Sequence, residues 1–102
     1  MYNTFFTNRA TDDFDKIIFY ISSKLSAPKA ASDLIDNIYA SIDLLEENPY
    51  IYEVCRDGKL KNEGYRRAVI NNYVMIYKIY EEQKSVIIHG IFYGRQKYID
   101  LL

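Results

Sequence analysis

From Gly64 to Leu102 the chain reads GYRRAVINNYVMIYKIYEEQKSVIIHGIFYGRQKYIDLL, and this stretch decides the fold. Three apolar, β-prone runs, Tyr65 to Ile70, Tyr73 to Tyr80 and Ser85 to Tyr93, are separated by two short polar connections. Asn71-Asn72 is a two-residue link whose side chains tolerate positive φ, as a tight hairpin requires. Glu81-Glu82-Gln83-Lys84 is a four-residue turn, and Gly94-Arg95 closes the third run. Strands joined in this way make an antiparallel meander. A lone meander is barely stable in water, so the rest of the chain must cover one of its faces.

The preceding residues supply that cover. Tyr2 to Thr7 is short, aromatic and β-prone, and reads as an edge strand. Thr7 or Asn8 can cap a helix, and Asp12, Asp13 and Asp15 fall in its first turns, where the helix dipole favours negative charge. Phe14, Ile17, Ile18, Ile21 and Leu25 recur at helical spacing and predict one apolar stripe, ending near Leu25-Ser26. Ala27-Pro28 opens a second helix with its stripe at Ala31, Leu34, Ile35, Ile38, Ile42 and Leu45, and Asn48-Pro49 stops it. Their short link makes the two an antiparallel hairpin. Pro49 to Gly64 reads as a loop with turns at Asp57-Gly58 and Gly64.

The expected fold is therefore α+β, one domain over residues 1–102. It has an N-terminal strand, an antiparallel two-helix hairpin packed on an antiparallel sheet ending in the three-stranded meander, and a short C-terminal helix from Gln96. The other sheet face is left open. Alternation along the second meander strand sets Tyr73, Met75, Tyr77 and Ile79 against Val74, Ile76, Lys78 and Tyr80. On the third, Val86, Ile88, Gly90 and Phe92 alternate with Ile87, His89, Ile91 and Tyr93. The sets holding Lys78 and His89 belong on the open face, because a helix-covered core does not readily accept such groups.

Composition narrows the class. At 49% hydrophobic residues the chain is too apolar to be disordered. Its net charge of −1 hides an asymmetry: Met1 to Asn48 carries four Lys/Arg against eight Asp/Glu, and Pro49 to Leu102 nine against six. The basic character sits with the meander and points to an anionic partner there. Cys55 is the only cysteine, which excludes an intrachain disulfide and a cysteine-based metal cluster and suits a reducing cytoplasm. No metal or cofactor motif is present. The N-terminus lacks a secretory pattern, and no apolar run is long enough for a membrane span.

The order of elements, with GYRRAVINNYVMIYKI from Gly64 to Ile79 and IFYGRQKYIDLL from Ile91 to Leu102, resembles the RelE/ParE superfamily of type II toxin–antitoxin toxins, also called plasmid stabilisation proteins. The Leu44-Leu45-x-x-Asn48-Pro49 end of the helical hairpin is similar too, so the resemblance spans the whole chain. It implies a cytoplasmic toxin that arrests bacterial growth when free and is neutralised by a cognate antitoxin. It also implies one of two targets: DNA gyrase for ParE-like members, or messenger RNA in the ribosome for RelE-like members. A homodimer through the open face is the structural alternative to a heterocomplex.

The RelE route would need cations for a phosphorane, a base and an acid. Arg66, Arg67 and Arg95 are the candidate cations, since arginine stays charged and grips two phosphate oxygens. Lys59, Lys61 and Lys78 are candidate target contacts. Tyr93 can stack on a base or donate a proton, as can Tyr98, and His89 titrates near neutrality. Cys55 reads as a small core filler rather than a nucleophile. One departure from the family pattern matters. RelE-like nucleases carry a catalytic arginine one residue after the first tyrosine of the central strand, where this chain has Val74. With a slightly acidic balance overall, this favours a ParE-like action on a protein target, with RNA cleavage or an inactive antitoxin-binding module as alternatives.

Overall fold

The computed structural model describes residues 1–94. The expected helix at 96–102 lies outside the described residues. In chain order the elements are β1 (Asn3–Phe6), α1 (Asn8–Phe19), a π-helical turn (Tyr20–Lys24), α2 (Pro28–Glu47), α3 (Gly58–Asn62), β2 (Tyr65–Ile70), β3 (Tyr73–Tyr80) and β4 (Ser85–Tyr93). The sheet order is β1-β4-β3-β2. β2, β3 and β4 form the expected antiparallel meander, turned at Asn71 with φ 55°. β1 pairs parallel with β4, Asn3 opposite Ser85 through Phe6 opposite Ile88, so the sheet is mixed rather than wholly antiparallel. Three helices, α1, α2 and α3, lie between β1 and the meander, and that long crossover is what permits a parallel pairing.

Thr7 caps α1, its hydroxyl oxygen accepting from the Ala10 amide at 3.0 Å. α2 starts on Pro28, whose missing N–H is no loss in a first turn. The hairpin closes over one sheet face. Leu34, Ile38, Ile42 and Leu45 from α2 pack against Ala68, Met75, Tyr77, Val86 and Ile88. Met75, Tyr77, Val86 and Ile88 belong to the side expected to face the helices. The Tyr77 hydroxyl is buried there and donates to the Pro49 carbonyl at 2.8 Å, which ties the loop after α2 to the centre of the sheet. Among the described residues no helix is long and apolar enough to cross a membrane.

Three further expectations change. Leu25 does not join the α1 stripe. The backbone widens into a π-turn in which the Leu25 amide donates to Tyr20 and the Ser22 hydroxyl donates to the Phe19 carbonyl. The extra residue in the turn carries Leu25 off the buried face, and it is 55% exposed. Second, the loop between α2 and β2 contains the short α3, capped by Asp57, and it does not leave the second sheet face open from end to end. Cys55 and Leu60 pack on Val74, Ile76 and Phe92 and bury that part of it.

Third, β4 does not alternate strictly. Ile76 pairs with Gly90 but Tyr77 with Ile88, so His89 is an extra residue on β4. Such a bulge reverses the phase of the strand beyond it. Ile91 therefore faces the helices, while Phe92 crosses to the Cys55 and Leu60 side. The Phe92 ring lies across Gly90, where an added Cβ would sit 2.5 Å from a ring carbon. Gly90→Ala is expected to cost about 1–3 kcal/mol by forcing the ring or the bulge to move. A shift of the urea unfolding midpoint with an unchanged slope would measure it, and an unshifted midpoint would refute the packing described.

Candidate functional site

The part of the second sheet face that α3 leaves uncovered is aromatic and nearly uncharged. Lys78, Tyr80, Ile87, His89 and Tyr65 lie on it, with Phe5 at the β1 edge opposite Ile87. The Lys78 ammonium sits 5.3 Å from the Tyr65 ring centre and 5.8 Å from that of Tyr80. Two aromatic faces thus hold the single cation of the strand by cation–π attraction. Lys78 and His89 occupy the face expected for them. The His89 ring meets Tyr65 edge-on at 5.1 Å, and its buried Nε2 has no hydrogen-bond partner among the described residues. Burial, and then the charge of Lys78, hold the imidazole below its ordinary value of 6.5, so it is neutral at pH 7.

The two strand arginines point to opposite faces, as neighbours on a strand must. Both are engaged by the same loop. Arg66 donates to the Tyr52 carbonyl at 2.8 Å and stacks on the Tyr50 ring at 5.1 Å. Arg67 donates to the Glu53 carboxylate at 2.8 Å, and the Arg67 amide to the Glu53 carbonyl. The Arg67 hydrogen bond, then the charge of Arg56, lower the Glu53 carboxyl. Tyr50 is pinned in turn, its hydroxyl donating at 2.7 Å to Glu81, which also receives Tyr2 and, at 2.6 Å, Lys84. These bonds, the Lys84 one first, pull Glu81 down to about 2. Nothing in the sequence marked Glu53 as the partner of Arg67 or Glu81 as that of Tyr50, because those pairs lie 14 and 31 residues apart in the chain.

Lys59 and Lys61 are exposed on α3, either side of the buried Leu60, and lie beside this face without entering it. Tyr93, expected on the open face with His89, is turned by the bulge to the helix side and meets Tyr73 edge-on at 5.8 Å, so the structure does not bring it to Lys78. Arg95 and Tyr98 lie outside the described residues. Val74, at the family's arginine position, is buried under α3. Cys55 is buried beside it, and that burial raises its thiol, which leaves it a filler.

A second concavity of about 860 Å³ opens at the other end of β4. Ile17, Tyr20 and Leu25 line it from the helix side, and Tyr73 and Tyr93 from the sheet. Asp13 lies between them and accepts from the Ile91 amide at 3.1 Å, supplying a partner for an edge that β1 is too short to cover.

The His89 environment makes a quantitative test. A base whose folded-state value is depressed adds stability above its unfolded value and loses it as pH falls through that value. Folding should therefore weaken as pH drops below about 6.5, the ordinary histidine value. Removing the second cause with Lys78→Met should raise the His89 midpoint in an NMR titration. A midpoint that stays put, or falls, would exclude the Lys78 contribution.

The family model described as ParE toxin of type II toxin-antitoxin system, parDE, matches residues 5–98. Among solved structures, the chain is similar to one in the chromosomal ParDE TA system from P. aeruginosa, with a TM-score of 0.70 at 18% identity, covering 91% of this chain and 96% of that one. It is also similar to one in the toxin-antitoxin complex RelBE2 from Mycobacterium tuberculosis, with a TM-score of 0.63 at 20% identity, covering 90% and 96%. At these identities the structures speak for the fold alone. A search of the curated proteins returned no match. The α+β architecture, the helical hairpin on the meander and the match over nearly the whole length agree: the chain belongs to the ParE toxin family of type II toxin–antitoxin systems.

Proposed function

We propose that this toxin acts by binding a protein target, DNA gyrase being the family precedent, and that a cognate antitoxin neutralises it. The observation that carries the reading is the state of the two strand arginines. Cleavage of RNA needs cations aimed at the phosphorane as charge develops on it. Here Arg66 is spent on the Tyr52 carbonyl and the Tyr50 ring, and Arg67 on Glu53. Val74 supplies no charge from the central strand. What remains exposed is an aromatic surface around one lysine, with Lys59 and Lys61 at its border. Tyrosine-rich surfaces of this kind suit protein recognition, since they bury large area at little entropic cost. The antitoxin follows from the family and from two structural neighbours that are themselves toxin–antitoxin complexes.

One observation favours the ribonuclease alternative: His89 offers a neutral imidazole with an unpartnered nitrogen beside Lys78. The two readings separate in one pair of assays. Purified toxin in excess should suppress supercoiling by gyrase and leave messenger 5′ ends unchanged when induced in cells. Normal supercoiling together with new, translation-dependent cleavage sites would reverse the assignment. An Arg66, Arg67 and Arg95 triple alanine variant that still cleaved would then remove those arginines from the chemistry.

A further inference from the structure

Register across the sheet sets four side chains in one line on the uncovered face. Tyr65 of β2 stands opposite Lys78 of β3, Lys78 opposite Ile87 of β4, and Ile87 opposite Phe5 of β1. The row therefore runs aromatic, cation, apolar, aromatic, in steps of about 4.8 Å, the spacing of paired strands. Phe5, at its end, is 54% exposed and carries the apolar surface out to the sheet edge.

Within the row and its neighbours Tyr80 and His89, Lys78 alone is charged at pH 7. Glu63 lies in the turn before β2 and Glu82 in the turn after β3, both exposed, and neither pairs with it: among the described residues Lys78 makes no ion pair. Its stem passes Gly64, where an added Cβ would lie 3.8 Å from Cε, and its ammonium is held by the Tyr65 and Tyr80 rings. A lysine fixed in this way has little rotamer freedom left to lose on binding.

The cation calls for a carboxylate, and the row sets where the apolar contacts beside that carboxylate must fall. Along the row Ile87 is about 5 Å from Lys78 and Phe5 about 10 Å. On one face of an α-helix, residues i+3 or i+4 and i+7 lie about 5–6 Å and about 10.5 Å from residue i. A helix laid across the strands, with acid at i and apolar side chains one and two turns on, matches all three positions. An extended segment, whose same-face residues repeat at about 6.6 Å, is out of step by the third.

We infer that this row is the recognition site for a helix of the protein target, with a target carboxylate on Lys78 and apolar side chains on Ile87 and Phe5. This rests on the protein-target reading above and goes further by naming the contact row and the chemistry of the segment it takes. The test measures the toxin concentration that half-inhibits supercoiling by purified gyrase. Lys78→Met keeps an apolar stem between the two rings and removes the charge, and should raise that concentration about 10-fold while flattening its salt dependence. Lys78→Glu should raise it about 100-fold, and Phe5→Ala about 10-fold. Lys29→Glu makes the same change of net charge at the exposed start of α2, and should alter it less than about twofold. Phe5 and Lys78 lie outside the buried core, so these variants should melt with the wild type. Wild-type inhibition by both Lys78→Glu and Phe5→Ala would overturn the row while leaving gyrase as the target. Equal losses in Lys29→Glu and Lys78→Glu would reduce the effect to net charge and overturn it as well. Normal supercoiling in the presence of wild-type toxin would overturn the protein-target reading itself, and message cleavage by the wild type that Lys78→Glu abolishes would then give the row to RNA.

Discussion

One extra residue in β4 governs both faces of this molecule. Between Ile88 and Gly90 the ladder slips by one, and His89 is left without an opposite number on β3. Up to that point β4 sends Val86 and Ile88 to the helices, and beyond it Ile91 takes over. Without the slip Phe92 would join the helical core and Ile91 the other face. With it, Phe92 can fold across the bare Cα of Gly90 and hold Leu60 and Cys55, which anchors α3 and its two lysines. The bulge also presents His89 against Tyr65. Its outer edge is secured from the first helix, by Asp13 at the Ile91 amide and by Thr7, whose hydroxyl donates to the His89 carbonyl.

The loop after α2 is the second organising element. It has little regular structure, yet it reaches the start of β2, the centre of β3 and the turn after β3. Pro49 receives the buried Tyr77 hydroxyl, Tyr52 and Glu53 occupy the two strand arginines, and Tyr50 reaches Glu81 at the far turn. Exposed pairs of this kind contribute little stability singly. Their effect here is positional: they fix where the guanidinium groups lie. A strand that looks freely cationic in sequence thereby becomes an edge whose guanidinium groups are held in place, Arg67 by a carboxylate and Arg66 by a carbonyl and a ring, and the face beside it becomes a tyrosine surface.

The π-turn is the third departure from regularity, and it acts on the opposite end of the molecule. Its wider backbone ring uses one residue more than an α-turn, so the apolar period of the helix is broken at Leu25. Leu25 and Tyr20 then belong to a cleft instead of the core. The bulge in β4 and the π-turn are thus the same event in two kinds of element. One inserted residue changes which side chains the core receives and which are left at the surface.

The sequence by itself determined the four strands, the two long helices and, apart from Leu25, the face each long helix buries. The period-two runs from Tyr65 to Tyr93, the Asn71-Asn72 link, Pro28 and Asn48-Pro49 are local signals, and each acts through backbone geometry that needs no distant residue. The resemblance over Gly64 to Ile79 and Ile91 to Leu102 led to the right family for the same reason, since those signals are the family's own. Tertiary structure alone decided the phase of β4 past His89, the exposure of Leu25, the parallel pairing of β1, the burial of part of the second face by α3 and the engagement of Arg66 and Arg67. The π-turn that exposes Leu25 is closed by local hydrogen bonds, but the others depend on contacts between residues far apart in the chain: Phe92 with Leu60, Asp13 with Ile91, Glu53 with Arg67. Periodicity assumes one residue per step and cannot register an inserted one. Charge counts register an arginine but not the carboxylate or carbonyl that the fold brings to it.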